Sequence, residues 1–124
     1  YKKLPITLEI NEMTQLINVA KSDTIYGLRD YCIIELMYSA GLRVSELCFL
    51  KIEHMNIEDG ILRVFGKGSK ERIVPLGENA KRALDAYLVR SRPSFVNTNT
   101  DTTIFLSRMG RALSRKTIWY MIKR

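Results

Sequence analysis

Apolar residues recur at helical spacing in the first part of the chain. The earliest stretch follows Asn11, a residue suited to cap a helix, and its apolar positions are Met13, Leu16, Ile17 and Ala20. The next stretch runs from about Gly27 to Ala40 and is apolar on almost every side. A helix of that kind belongs in the centre of a core, so this segment is predicted to be the central helix.

A short third helix is predicted directly after the central one. Gly41 suits the left-handed residue that ends a helix. The buried face of the third helix is predicted to consist of Val44, Leu47 and Leu50. Arg43 and Glu46 lie off that stripe and are therefore expected outside the core.

The period of the pattern changes to two at Ile61. Two alternating segments, 61–65 and 70–75, flank the glycine-rich run 66–69, which predicts a β-hairpin. An amphipathic helix with apolar positions Ala80, Ala83, Leu84, Tyr87 and Leu88 then stops before Pro93. A short strand at 104–106 and a helix opened by Ser114, carrying Ile118, Met121 and Ile122, complete the pattern. The predicted fold class is α+β, mostly helical with a small antiparallel sheet.

Length and charge narrow the class of protein. The chain has 124 residues, 46% of them hydrophobic, which allows one modest core and excludes a multidomain enzyme. Residues 1–60 carry a net charge of −3, whereas residues 61–124 carry fourteen basic and four acidic side chains, or +10. A polyanionic partner would explain this asymmetry, and a solvated Lys/Arg surface is the alternative that composition leaves open.

Cysteine and histidine usage points away from disulfides and metals. Cys32 and Cys48 lie in apolar helical patterns and are predicted to be buried free thiols of a cytoplasmic protein. Glu35 interrupts the longest apolar stretch, which is far shorter than the roughly 20 residues of a membrane span. His54 has no Cys or His nearby in sequence, so no metal site is predicted, and we expect it at a helix end or on the surface.

Two segments carry candidate chemistry. Arg43 precedes Glu46 by three residues, a spacing at which the carboxylate can orient the arginine and leave its planar fork available to a phosphate. Lys67 lies between two glycines at the predicted hairpin tip, where its ammonium could reach a phosphate or a leaving oxygen. Taken singly, the first segment is more readily interpreted as a surface ion pair and the second as a solvated charged turn.

Together and in order, these segments resemble the tyrosine recombinase (phage integrase) family, above all its bacterial Xer-type members. The strings that carry the resemblance are the Leu4-Pro5 lead-in, YSAGLRVSEL at 38–47, VFGKGSKERIVPL at 64–76, and the tail from IFLS at 104–107 to Trp119. The hairpin string is the most specific of them. The resemblance covers nearly the whole chain.

The resemblance implies a reaction and a set of roles. Members cut one DNA strand at a time through a 3′-phosphotyrosyl intermediate, free a 5′-hydroxyl, and use no metal or nucleotide cofactor. Arg43 matches the arginine that stabilises the transition-state charge, and Lys67 matches the lysine that protonates the leaving 5′-oxygen. Glu46 matches a supporting position whose expected task is to orient Arg43.

The implied partner is double-stranded DNA, bound by recombinase protomers that form a tetramer in the full-length parent. From charge and position, five basic residues are predicted to contact backbone phosphates: Lys70, Arg72, Arg111, Arg115 and Lys116. Such contacts give salt-dependent affinity with little sequence readout.

Later parts of the family signature do not occur in this chain. These are a His-x-x-Arg segment, a second His or Trp and the tyrosine nucleophile, so no tyrosine here is nominated as the nucleophile. We expect residues 1–124 to form the N-terminal part of a catalytic domain, without the family's core-binding domain. On its own this part is expected to be monomeric and unable to cleave DNA.

Two alternatives stay open from the residues. The first is a non-catalytic DNA-binding module or decayed integrase relative, and the second is an unrelated basic RNA- or ribosome-binding domain. The second alternative is disfavoured because the hairpin lacks the exposed stacking aromatics of single-strand binders. The DNA target, and the choice between chromosome-dimer resolution and integration of a phage or mobile element, are not predicted.

Overall fold

The computed structural model describes residues 24–66, 68 and 70–123. The helix predicted after Asn11 lies outside them, and so does Lys67. The central helix, α1, spans Ile25–Ser39, and the Thr24 hydroxyl caps it by accepting the Gly27 N–H at 2.9 Å. Its side chains fill the core on several sides: Cys32, Ile33 and Leu36 are fully buried.

The second helix and the sheet follow without a long connection. Helix α2 spans Val44–Phe49, and after a 3₁₀ turn at Ile52–His54 the chain forms β1 (Met55–Asn56), β2 (Ile61–Phe65) and β3 (Glu71–Pro75). The three strands are antiparallel in the order β1-β2-β3. The hairpin is therefore confirmed, whereas the two-residue strand β1 was not predicted because it is too short to show a period.

The register of the hairpin decides which side chains share a face. Leu62 pairs with Val74, and Val64 pairs with Arg72. Leu62, Val64 and Val74 are buried, so Arg72 projects from the core-facing side of β3. Arg63 and Glu71 project from the opposite, solvent-facing side.

The amphipathic helix is confirmed as α3, Glu78–Ala86, and continues as a π-helical turn over Tyr87–Ser91. The strand predicted at 104–106 is wrong. Ile104 and Leu106 are fully buried, but their backbone groups bond to the Tyr87 hydroxyl, which donates to the Ile104 carbonyl at 2.6 Å and accepts the Leu106 N–H at 3.1 Å. The backbone pairing of this segment is scattered: the Ile104 N–H donates to the Leu50 carbonyl, the Phe105 carbonyl accepts the Leu113 N–H, and Leu106 forms an isolated bridge with Ala112. No continuous ladder results, so the segment is not a strand.

The last described helix, α4, spans Arg115–Lys123 and packs against α2. The Ser114 hydroxyl accepts the Thr117 N–H at 3.1 Å, and Ile118, Met121 and Ile122 are buried, as predicted. The two cysteines are buried and free, also as predicted, and burial raises the pKa of Cys48 to about 11. The fold class is confirmed as mostly helical with a small antiparallel sheet.

Tyr38 lies at the end of α1, and its side chain is exposed. Among the helices of residues 24–123 that the structure describes, none is long and apolar enough to cross a membrane.

Candidate active site

The turn between α1 and α2 presents Arg43 to solvent. Gly41 adopts φ 72°, the left-handed conformation predicted for it, and the Leu36 carbonyl accepts the N–H groups of both Ala40 and Leu42. This tight reversal makes Arg43 the N-cap residue of α2, in extended conformation, with an exposed side chain. The position of Arg43 at the mouth of the helix agrees with the prediction.

Glu46 is buried, contrary to the expectation that it lies off the buried stripe. Only 4% of it is exposed, and its Oε1 accepts the backbone N–H of Arg43 at 2.9 Å. The helical period missed this burial because the covering element is the hairpin, which comes later in the chain. A Cβ atom placed on Gly66 would lie 3.9 Å from Oε2 of Glu46.

The ion-pair partner of Glu46 is Arg72 on β3. Arg72 Nε donates to Oε2 at 3.1 Å, and Nη2 donates to Oε1 at 2.8 Å, which makes the pair bidentate. The same Nη2 donates to the Gly41 carbonyl at 3.3 Å. The side chain predicted to contact DNA phosphates thus holds a carboxylate and a carbonyl of its own chain.

Electrostatics agree with this geometry. Burial acts to raise the pKa of Glu46, but the hydrogen bonds from Arg72 and from the Arg43 backbone outweigh it and hold the pKa below its ordinary value. Reciprocally, the hydrogen bond to Glu46 raises the pKa of Arg72. Glu46 is therefore an anion at neutral pH.

The hairpin tip approaches the same region. The Gly66 N–H donates to the Lys70 carbonyl at 2.9 Å, which closes the turn, and Gly68 has φ 74°. Lys67 follows Gly66, the residue that adjoins Glu46, but lies outside the described residues, so its role stays a prediction.

The other predicted phosphate contacts are exposed: Lys70, Arg111, Arg115 and Lys116. Over the described ranges, none of the four salt bridges involves them. Arg115 opens α4 on the side of α2, where its charge acts on Cys48. Arg111 ends the turn in which the Ser107 N–H donates to its carbonyl at 2.7 Å.

His54 takes no part in this region. Its Nδ1 accepts the Lys51 N–H at 3.3 Å, and its ring packs on Phe65 with centroids 4.7 Å apart, in agreement with a helix-end role. Within the part of the chain that the structure describes, no cluster of three or more His, Cys, Asp or Glu side chains is placed to hold a metal ion.

Sequence reasoning missed the link between Glu46 and Arg72. The available signal was the alternation in β3, which puts Arg72 on the same face as the apolar Val74. A charged side chain on a core-facing position requires a partner, and the buried candidate on the facing helix is Glu46.

Comparisons with known proteins define the class. The model of the phage integrase family matches residues 7–124, so the chain belongs to that family. It is 44% identical over 122 residues to the tyrosine recombinase XerD of Staphylococcus saprophyticus, a match that covers 98% of this chain and 41% of the relative. The XerD of Staphylococcus aureus is 43% identical over the same length. The chain thus spans about two-fifths of the length of these curated relatives.

Solved structures of recombinases and integrases have a similar fold. The XerA recombinase is 32% identical with a TM-score of 0.76, covering 97% of this chain and 41% of that one. The catalytic core of lambda integrase has a TM-score of 0.66 at 24% identity, covering 94% of this chain and 66% of that one, which shows the shared fold.

Proposed function

We propose that the protein carrying this chain is a site-specific DNA recombinase that cuts and rejoins strands through a 3′-phosphotyrosyl intermediate. The observation that carries the proposal is the exposed Arg43, whose backbone is held by the buried Glu46 beside the hairpin of β2 and β3 in a phage integrase family chain. A guanidinium that is exposed on a fixed backbone can stabilise charge without reorganising during the reaction.

The tyrosine, Arg43 and Lys67 are proposed to have separate roles in the cleavage step, in which a bond from tyrosine to phosphorus replaces the bond from phosphorus to the 5′-oxygen. A tyrosine supplied from outside residues 1–124 attacks the scissile phosphorus, and the bond from phosphorus to the 5′-oxygen breaks. Arg43 forks onto the non-bridging oxygens as negative charge grows there. Lys67 gives its proton to the departing 5′-oxygen, which leaves as a hydroxyl.

Double-stranded DNA is the proposed partner. The exposed Lys70, Arg111, Arg115 and Lys116 are suited to backbone phosphates, and the XerH relative, 24% identical, was solved bound to a difH substrate. Recombination joins two sites, so we propose a tetramer for the full-length protein. A cytoplasmic location fits this function and the free thiols of Cys32 and Cys48.

The test is covalent trapping by the full-length protein. A duplex nicked close to the cleavage site loses the released fragment, so the protein–DNA adduct accumulates and survives denaturation. We expect an adduct with the wild type, a loss of about 100-fold or more in R43A, and a similar loss in K67A. R63Q, which removes a charge from the solvent-facing side of the hairpin, is the matched control and should retain the rate. Binding without adduct in the wild type would instead support a non-catalytic DNA-binding relative.

A further inference from the structure

The guanidinium of Arg72 contacts groups on both sides of Arg43 in the sequence, the Gly41 carbonyl and the Glu46 carboxylate. Two residues before Arg43, the Gly41 carbonyl accepts Nη2 at 3.3 Å. Three residues after Arg43, the Glu46 carboxylate accepts the Arg43 N–H at 2.9 Å and two hydrogen bonds from the Arg72 guanidinium at 2.8 and 3.1 Å. The Arg72 side chain thereby connects the turn at Gly41, the N-cap residue of α2 and the hairpin.

We propose that Arg72 is a positioning residue that acts on the reaction through Arg43, and that its charge is committed to Glu46 and not to a DNA phosphate. The inference rests on the recombinase function proposed above. It differs from the sequence expectation, which placed Arg72 with the phosphate contacts.

The chemistry of the pair supports this role. Glu46 has one oxygen that accepts two donors and another that accepts one, so its bonding directions toward Arg43 are fixed only while Arg72 is present. The planar fork of arginine matches a carboxylate in two parallel bonds, whereas a lysine supplies a single point charge. A displacement of about 1 Å at a catalytic group can cost on the order of 100-fold in rate, so a loosened Arg43 turn has a measurable consequence.

The competing role is a direct phosphate contact, because nearly half of the Arg72 side chain is exposed. The two roles predict different observables. A phosphate contact contributes to DNA affinity and to its salt dependence, with a slope change of about 0.9 per contact. A positioning residue changes the cleavage rate at saturating DNA and leaves affinity nearly unchanged.

The experiment measures single-turnover cleavage at saturating duplex, and DNA dissociation constants over a salt series, for full-length wild type, R72Q, R72K and K70Q. We expect R72Q to cleave about 10- to 100-fold more slowly with an affinity within about threefold of wild type. R72K should recover part of that rate. K70Q removes the charge of the exposed residue directly before β3, a proposed phosphate contact, and should weaken binding and make its salt dependence shallower.

A weaker affinity and a shallower salt slope in R72Q, with an unchanged saturating rate, would overturn the proposal. Thermal unfolding of each variant checks that the protein is folded, and R72K carries the same test if R72Q is not. Failure of the proposed function is separate, since it would show as no adduct from the wild type.

A second substrate distinguishes Arg43 from Lys67 as the residue through which Arg72 acts. Replacing the bridging 5′-oxygen by sulfur gives a leaving group that needs no proton, because a thiol is far more acidic than an alcohol. The defect of K67A should then be relieved, whereas the defect of R72Q should persist. Relief of R72Q to the same degree would overturn the assignment to Arg43.

Discussion

Two arginine–glutamate pairs lie on opposite faces of the same hairpin. Arg63 Nε contacts Glu71 Oε2 at 2.6 Å on the solvent-facing side, and Arg72 Nη2 contacts Glu46 Oε1 at 2.8 Å on the core-facing side. The arginines are almost equally exposed, at 48% and 47%, but the carboxylates differ: Glu71 is 40% exposed and Glu46 only 4%. The pairs therefore differ in the solvation of the carboxylate: water can solvate Glu71 when the pair opens, whereas Glu46 is buried and cannot be solvated in place.

The pairs also differ in what they join. Arg63 and Glu71 connect strands that already share five paired positions, so their contact adds little organisation. Arg72 and Glu46 are 26 residues apart and connect the hairpin to the start of α2. A short bond length does not by itself identify the pair that matters, because exposed ion pairs are weak in water.

The largest expected effect is on stability in E46A. This change removes the carboxylate that accepts three hydrogen bonds, two from Arg72 and one from the Arg43 N–H, so we expect a loss of about 1–3 kcal/mol in the free energy of unfolding, measured in urea. The matched change E71A should cost less than about 0.5 kcal/mol. Equal losses would mean that burial of the acid does not separate the two pairs.

Acid sensitivity is the next largest difference. The pKa of Glu46 is lower in the folded state than its unfolded value of about 4.3, so the folded protein binds this proton more weakly. The stabilisation is present above that value and is lost as the pH falls through the folded pKa. R72Q removes the strongest lowering contact and should move the loss to higher pH. Urea midpoints between neutral and acidic pH measure it, with R63Q expected to follow the wild type.

Double-mutant cycles give a smaller but more direct comparison. We expect a coupling of about 1–2 kcal/mol between Glu46 and Arg72, since one partner is buried and the bonds are charge-assisted. Between Arg63 and Glu71 the coupling should be about 0.2–1 kcal/mol. Urea unfolding of E46Q, R72Q and the double variant, beside R63Q, E71Q and their double variant, measures both. A larger coupling on the exposed face would reverse the comparison.

The smallest expected effect is that of salt on the difference in coupling free energy between the two ion pairs. At about 1 M salt the screening length falls to about 3 Å, which weakens exposed pairs much more than buried ones. The coupling between Arg63 and Glu71 should fall toward zero, while that between Arg72 and Glu46 keeps most of its value. Repeating the cycles at high salt checks this, and parallel losses would indicate that water reaches Glu46 freely.

Elements with their own strong pattern were predictable. The central helix was predicted at about Gly27–Ala40 and found at Ile25–Ser39, with the left-handed Gly41 after it. The hairpin and the cap at Ser114 were equally clear. The strand predicted at 104–106 was wrong because the backbone hydrogen bonds of this segment are divided between the Tyr87 hydroxyl and single residues of two other segments, Leu50 and Leu113. The local alternation of the sequence does not contain that division.

The sequence alone determined the family, the fold class and the candidate residues Arg43, Glu46 and Lys67, because helix periods, strand alternation and motif strings are local properties of the chain. Only the tertiary structure decided that Glu46 is buried and that Arg72 is its partner. That choice depends on the hairpin folding over the start of α2, where a desolvated carboxylate requires hydrogen bonds and the nearest arginine on the core-facing side of β3 supplies them.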